Sequence, residues 1–230
     1  MHQNEVAESV IQYLGYPFRM LNIMPEKITG FYRKIYAKGQ KKGFMPVLVN
    51  ADQVLEDFLD IDDDAVYSPH KTLLNLTDGK QFLQHALQQL SDYDEAAENF
   101  SQMEEMPDIS QNAFHALYSH EGRIVLCELP TVNPWEVPAY VPFSGFHDCP
   151  NPEEMTSVCK YWFDEYHAVP AAITHDTLEF LLPEPVPPEK ALMLAKEQYA
   201  FCPDICDMGI PLAMIAEMLK RSTVWQFWWS

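Results

Sequence analysis

The chain has 230 residues, with 15 basic and 34 acidic side chains and a formal charge of −19, a length that suits one domain or two small ones. At 47% hydrophobic and 13% aromatic it can bury a substantial core, which excludes wholesale disorder and a disulfide-dependent miniprotein. A surface this negative repels phosphate, and Lys34, Lys38, Lys41 and Lys42 only begin the basic stripe that nucleic-acid binding would need, so none is expected.

The charge is uneven: residues 1–50 carry +4, residues 51–110 carry −13 and the remainder −10. A basic partner would gain from electrostatic steering, although an acid excess also serves solubility alone. The opening MHQNEVAESV has acids where a secretory signal has a basic stretch. The longest apolar run, near residues 210–218, is far shorter than the roughly 20 residues that span a bilayer. Five cysteines without a CxxC pair fit a reducing compartment. These features predict a cytoplasmic protein without membrane contact and leave its oligomeric state open.

In chain order, Val6, Val10, Ile11 and Leu14 share a helical face that Gly15 ends. Pro25 opens a second helix, with Ile28, Phe31, Tyr32, Ile35 and Tyr36 inward, a basic opposite face and Gly39 as its stop. Phe44 to Val49 reads as a buried strand, and Val54, Leu55, Phe58 and Leu59 return to helical spacing. The acidic run at 60–64 lacks the glycine turn and terminal glutamate of a calcium loop and reads as a solvated turn. A helix from Asp78 turns Phe82, Leu83, Ala86, Leu87 and Leu90 inward, and an acidic helical stretch follows.

Residues 107–110 form the best boundary between halves. Beyond it come a strand at 123–129 and a proline-rich passage whose aromatics, Trp135, Tyr140, Phe143 and Phe146 among them, predict an ordered loop. Asn151, Pro152, Glu153 and Glu154 start a helix with Met155, Val158, Cys159, Trp162, Phe163 and Tyr166 on its apolar stripe. Strands at 169–174 and 177–182 flank a two-residue turn, His175 and Asp176. A helix follows in which Ala191, Leu192, Leu194, Ala195 and Tyr199 share a face and Glu197 projects oppositely, then a break at Pro203 and a last helix.

Three tryptophans in the last six residues predict a packed terminal strand covered on both sides, with Trp225, Phe227 and Trp229 facing one way. The expected fold is α+β, a mixed, mostly antiparallel sheet with helices packed against it. It divides into a helix-rich α/β region at 1–110 and an α+β domain at 111–230, with one shared core as the alternative.

VPAYVPFSGFHDCP at 137–150, Trp162, DTLE at 176–179, LAKEQYAFCPD at 194–204 and WQFWW at 225–229 together resemble the uncharacterised bacterial domain-of-unknown-function family 4253. GFMPVLV in the first half is only generally similar. Ser230 and His147 stand where the family pattern has an acid and an asparagine. The resemblance implies bacterial origin and no established reaction, cofactor or catalytic residue.

His147, Cys149, Cys202 and Cys206 have spacings that a zinc site could use but not the tight repeat of paired-cysteine sites, so no metal and no cofactor are expected. There is no GxSxG elbow, phosphate-cradling loop, HExxH or dinucleotide fingerprint. Asp176, Glu179 and Asp204 fall at a hairpin and a helix break, where turn formation and capping compete with a functional role. Two readings survive. The favoured one is a non-catalytic acidic protein that captures a basic protein, as an immunity or regulatory protein would. The other is a small enzyme or ligand-binding protein with a pocket between the proline-rich loop and the FCPD segment, using Trp135, Tyr140, Phe143, His147, Asp176, Glu179, Cys202 and Asp204.

Overall fold

The computed structural model describes residues 15–50, 68–90, 110–119, 123–141, 148–206 and 210–230. The expected helices at 6–14 and 54–59, the acidic turn at 60–64, the acidic stretch after residue 90 and most of the expected boundary lie outside the described residues, as do Phe143 and His147.

Six strands form one sheet: β1 (Phe18–Met20), β2 (Met45–Asn50), β3 (Ile124–Leu129), β4 (Val169–Ile173), β5 (Thr177–Leu181) and β6 (Val224–Trp228), in the order β1-β3-β2-β4-β5-β6. Only β2 and β4 run parallel, with Leu48 opposite Ala172 and Val49 opposite Ile173. Every other pairing is antiparallel, so the chain is α+β with a mixed, mostly antiparallel sheet. Strand β2, from the first half, lies between β3 and β4 and is buried along its whole length. The short exposed β1 has no apolar run to announce it.

Helix α1 (Pro25–Lys42) begins at its proline but runs past Gly39. It stops at Gly43, whose φ of 84° is left-handed and whose N–H donates to the Gly39 carbonyl at 2.9 Å. Gly39 serves a different need: a Cβ there would strike the Phe44 carbonyl oxygen, so glycine lets the chain fold back into β2. Helices α2 (Pro69–Leu74) and α3 (Gly79–Gln89) follow, the latter capped by Asp78, which accepts from the Gln81 N–H at 3.0 Å. After the four-residue α4 (Val137–Tyr140), α5 (Pro152–Tyr166) has the full capping box of Asn151 and Glu154. Helices α6 (Pro188–Phe201) and α7 (Leu212–Leu219) flank a 3-10 turn, Pro203–Cys206.

Register puts Leu178, Phe180, Trp225 and Phe227 on one face of the sheet. There Trp162 of α5 stacks on Phe227 at 5.4 Å between ring centroids and meets Phe180, Phe201 of α6 and Trp225 edge-on. The opposite face, which carries Glu179, is covered by α1 and residues 110–119. His115 N–H donates to Glu179, Phe114 N–H donates to Thr29 of α1, and the Phe114 ring lies edge-on to Tyr32.

Helix α6 departs from its expected faces. Ala191, Leu194 and Ala195 are buried, but Leu192 is exposed, and Glu197 is buried instead of projecting outward. The reason is a pair of polar tips on α5: Tyr161 Oη and Trp162 Nε1 donate to the two Glu197 oxygens at 2.9 and 3.2 Å. Burial raises the Glu197 pKa, and these donors pull it back.

Candidate functional site

β6 is an edge strand, and its hydrogen-bond parity defines the site. Leu182 N–H donates to Thr223 O and Trp229 N–H to Asp176 O, so the alternating ladder turns the main chains of Trp225 and Phe227 toward β5. Those of Val224, Gln226 and Trp228 turn outward. Both ends of this outer edge are occupied: Val224 N–H donates to Gln111 O at 3.0 Å, and the Cys202 thiol donates to Trp228 O at 2.9 Å. Between them, no described residue bonds the Gln226 main-chain N–H or C=O. The Gln226 side-chain oxygen accepts from Gln111 Nε2 at 2.8 Å.

A cleft of about 230 Å³ lies along this edge. Val224, Trp225, Gln226 and Trp228 form one wall, and Ile205 of the 3-10 turn with Ile210, Ile215, Met218 and Leu219 form the other, while Gln198 of α6 also lines it. The lining is mainly apolar, yet it includes two buried donors without partners, Gln198 Nε2 and Trp225 Nε1. An unmet buried donor costs about 1–3 kcal/mol, so such groups mark a place where a ligand acceptor would be favourable. Two other clefts, about 390 and 350 Å³, contain Arg33 and Glu197, but those groups are satisfied within the protein, Arg33 by Leu182 O and Thr223 Oγ1.

Four of the eight residues singled out from sequence border β6. Asp176 accepts from Thr174 Oγ1 at 3.0 Å, Thr177 Oγ1 at 2.8 Å and Trp228 Nε1 at 2.9 Å. Asp204 accepts from Ser230 N–H at 2.7 Å, and Cys202 holds Trp228 as above. These three pin the last residues of the chain. Glu179, opposite Gln226, is fully buried, with one oxygen 2.8 Å from His115 N and the other unpartnered, and burial raises its pKa to about 7.

Trp135 and Tyr140 have other neighbours: Lys160 Nζ lies 5.6 Å from the Trp135 ring centroid, and Tyr140 meets Tyr16 edge-on at 5.8 Å. Neither Trp135 nor Tyr140 lines the cleft beside the FCPD turn, whose described walls come from β6 and α7 with Gln198, Ile205 and Ile210, while Phe143 and His147 lie outside the described residues. The expectation that β6 is covered on both sides also needs correction. Trp225, Phe227 and Trp229 are buried, but Gln226 and Trp228 are exposed, because nothing described packs over that part of the edge. Gln198, Gln111 and Gln226 carried no sequence signal, since neutral amides have no motif spacing.

Burial pushes the Cys127 and Cys149 thiols up to about 12, and Cys159 and Cys202 well above the ordinary thiol range. Thiols held this way are poor nucleophiles at neutral pH. Among the described residues, no group of three or more His, Cys, Asp or Glu could hold a metal ion, and no helix is long and apolar enough to cross a membrane.

Residues 125–230 match the family described as a domain of unknown function (DUF4253). The similarity to this family covers just under half of the chain. The DUF4253 region holds β3 from its second residue, β4 to β6, α4 to α7 and the whole described cleft wall except Gln111. No curated protein and no solved structure matches the chain.

Proposed function

We propose that this chain is a non-catalytic binding protein whose partner is a basic protein, with the bacterial, cytoplasmic setting that the family resemblance and the cysteine usage imply. The observation that carries the reading is the charge of −19. Such a field steers a basic partner and disfavours acidic competitors. Local chemistry supports it: Asp176, Cys202 and Asp204, which a catalytic reading would recruit, are engaged in holding the chain terminus. The reading is tested by capture from a native-host lysate at low ionic strength, then calorimetry with the purified partner. A basic protein whose affinity falls about tenfold or more toward physiological salt is expected. An acidic partner, or a complex indifferent to salt, would overturn it.

The second reading, a ligand-binding protein, is favoured by one observation, the apolar cleft with two unpartnered donors beside the FCPD turn.

A further inference from the structure

We propose that the cleft along β6 binds one extended residue of a peptide, pairing its main chain with Gln226 and placing an apolar side chain between β6 and α7. This deepens the reading of the chain as a binding protein by naming where a partner's backbone would sit.

The geometry is specific. An unpaired strand edge offers a donor and an acceptor at every second residue, the pattern that strand addition uses. Here Gln111 O takes the Val224 N–H and the Cys202 thiol donates to the Trp228 C=O, so among the described residues Gln226 is the one outward residue of β6 with both its N–H and its C=O unbonded. A long added strand or a β6-to-β6 dimer ladder with full antiparallel pairing would need the Val224 N–H and the Trp228 C=O, which Gln111 and Cys202 already hold. The opening at Gln226 suits one extended residue, whose own N–H and C=O complete a two-bond ring with Gln226.

The cleft beside the opening is bounded by Ile205, Ile215, Met218 and Leu219, which favours an aliphatic or aromatic side chain. Gln198 Nε2 and Trp225 Nε1 add two neutral donors that a neighbouring peptide carbonyl would satisfy. Among the described residues no Lys, Arg or His lines the cleft, so these give a carboxylate no counter-charge, and a neutral peptide carbonyl is the better acceptor.

Gln226 also makes the test clean. Its N–H takes no part in the β5 ladder, and proline is tolerated on an edge strand where the N–H faces outward. Gln226→Pro therefore removes the proposed bond, while Gln226→Ala removes only the side chain. The probe is acetyl-Ala-Leu-Ala-N-methylamide, titrated into the full-length protein and followed by amide and indole NMR shifts, with the leucine replaced by aspartate as control.

The expected result is a saturable shift of the Gln226 amide and the Trp225 indole N–H. Affinity should be retained in Gln226→Ala, fall about tenfold in Gln226→Pro, as loss of one bond of about 1.4 kcal/mol gives, and fall further with the aspartate peptide. Equal binding by the Ala and Pro variants would overturn the proposal. So would shifts elsewhere only, or shifts that follow protein concentration alone, the mark of self-association. The leucine probe is uncharged, so its failure leaves the salt-dependent capture of a basic protein standing, and the reverse holds too.

Discussion

Glu179, on β5, is a carboxyl group with no exposure, one oxygen accepting from His115 N–H at 2.8 Å and the other without a hydrogen-bond partner. Its pKa rises from 4.5 to about 7, chiefly through burial, with the His115 and Ala116 backbone N–H groups opposing. An acid whose folded pKa is raised binds its proton more tightly when folded. Stability therefore falls as pH climbs from 4.5 to about 7, and is unaffected by this group outside that window. Glu179→Gln keeps the acceptor for His115 and removes the titration. Measured by urea unfolding, the variant's stability relative to the parent should grow by about 3 kcal/mol between pH 4.5 and pH 8. A difference that stays constant across that range would mean that Glu179 keeps an ordinary pKa. Glu197, also raised by burial, contributes the same trend in both proteins and cancels from the comparison. Neither environment was legible in the sequence. The alternation on β5 puts Glu179 on the face opposite Phe180, and only the arrival of residues 110–119 closes that face over it.

At the scale of the element, β6 is held by contacts that no local pattern encodes. Asp176, Cys202 and Asp204 reach it from a hairpin, a helix end and a 3-10 turn, each from a different part of the chain. Trp225, Phe227 and Trp229 bury their rings against Trp162, Phe180 and Phe201. Truncating one buried large aromatic costs about 3–5 kcal/mol, and a whole domain has about 5–15 kcal/mol to lose. Trp229→Ala should leave a folded but weakened protein, lower by about 3–5 kcal/mol in urea. Deleting residues 225–230 removes all three rings and should abolish the cooperative transition and the near-ultraviolet circular dichroism; a native-like spectrum would refute this account of β6. The density of aromatics made the packed terminus readable in advance, as alternation made Trp225, Phe227 and Trp229 one face. The exposure of Gln226 and Trp228 was not readable, because whether a strand is central or at an edge depends on sheet order. Capping residues behaved differently: Asn151 with Glu154 acts within one helical turn, and its reading from sequence holds in the structure.

At the scale of the whole molecule, the family boundary and the sheet do not coincide. The DUF4253 region supplies β3 from its second residue, β4, β5 and β6, but β2 stands between β3 and β4, and it comes from residues 45–50. Without β2, β3 would lose its six-residue antiparallel partner and β4 its parallel one, leaving two apolar strands with bare edges. Helix α1 and Tyr32, whose hydroxyl donates to Pro46 O at 3.0 Å, would also be missing from the face that covers Glu179. Sequence patterns located these strands because short β-branched runs are local, whereas their order is a long-range property with no signature in spacing. The expected outcome is that residues 111–230 expressed alone give poor amide dispersion and no cooperative thermal transition, while the full chain gives both. Supplying residues 15–90 as a second polypeptide should restore dispersion, because that piece carries β2, α1 and the α3 helix that packs on α5. A well-dispersed spectrum from 111–230 alone, with the thermal midpoint of the full chain, would show that the family region rebuilds its sheet without β2.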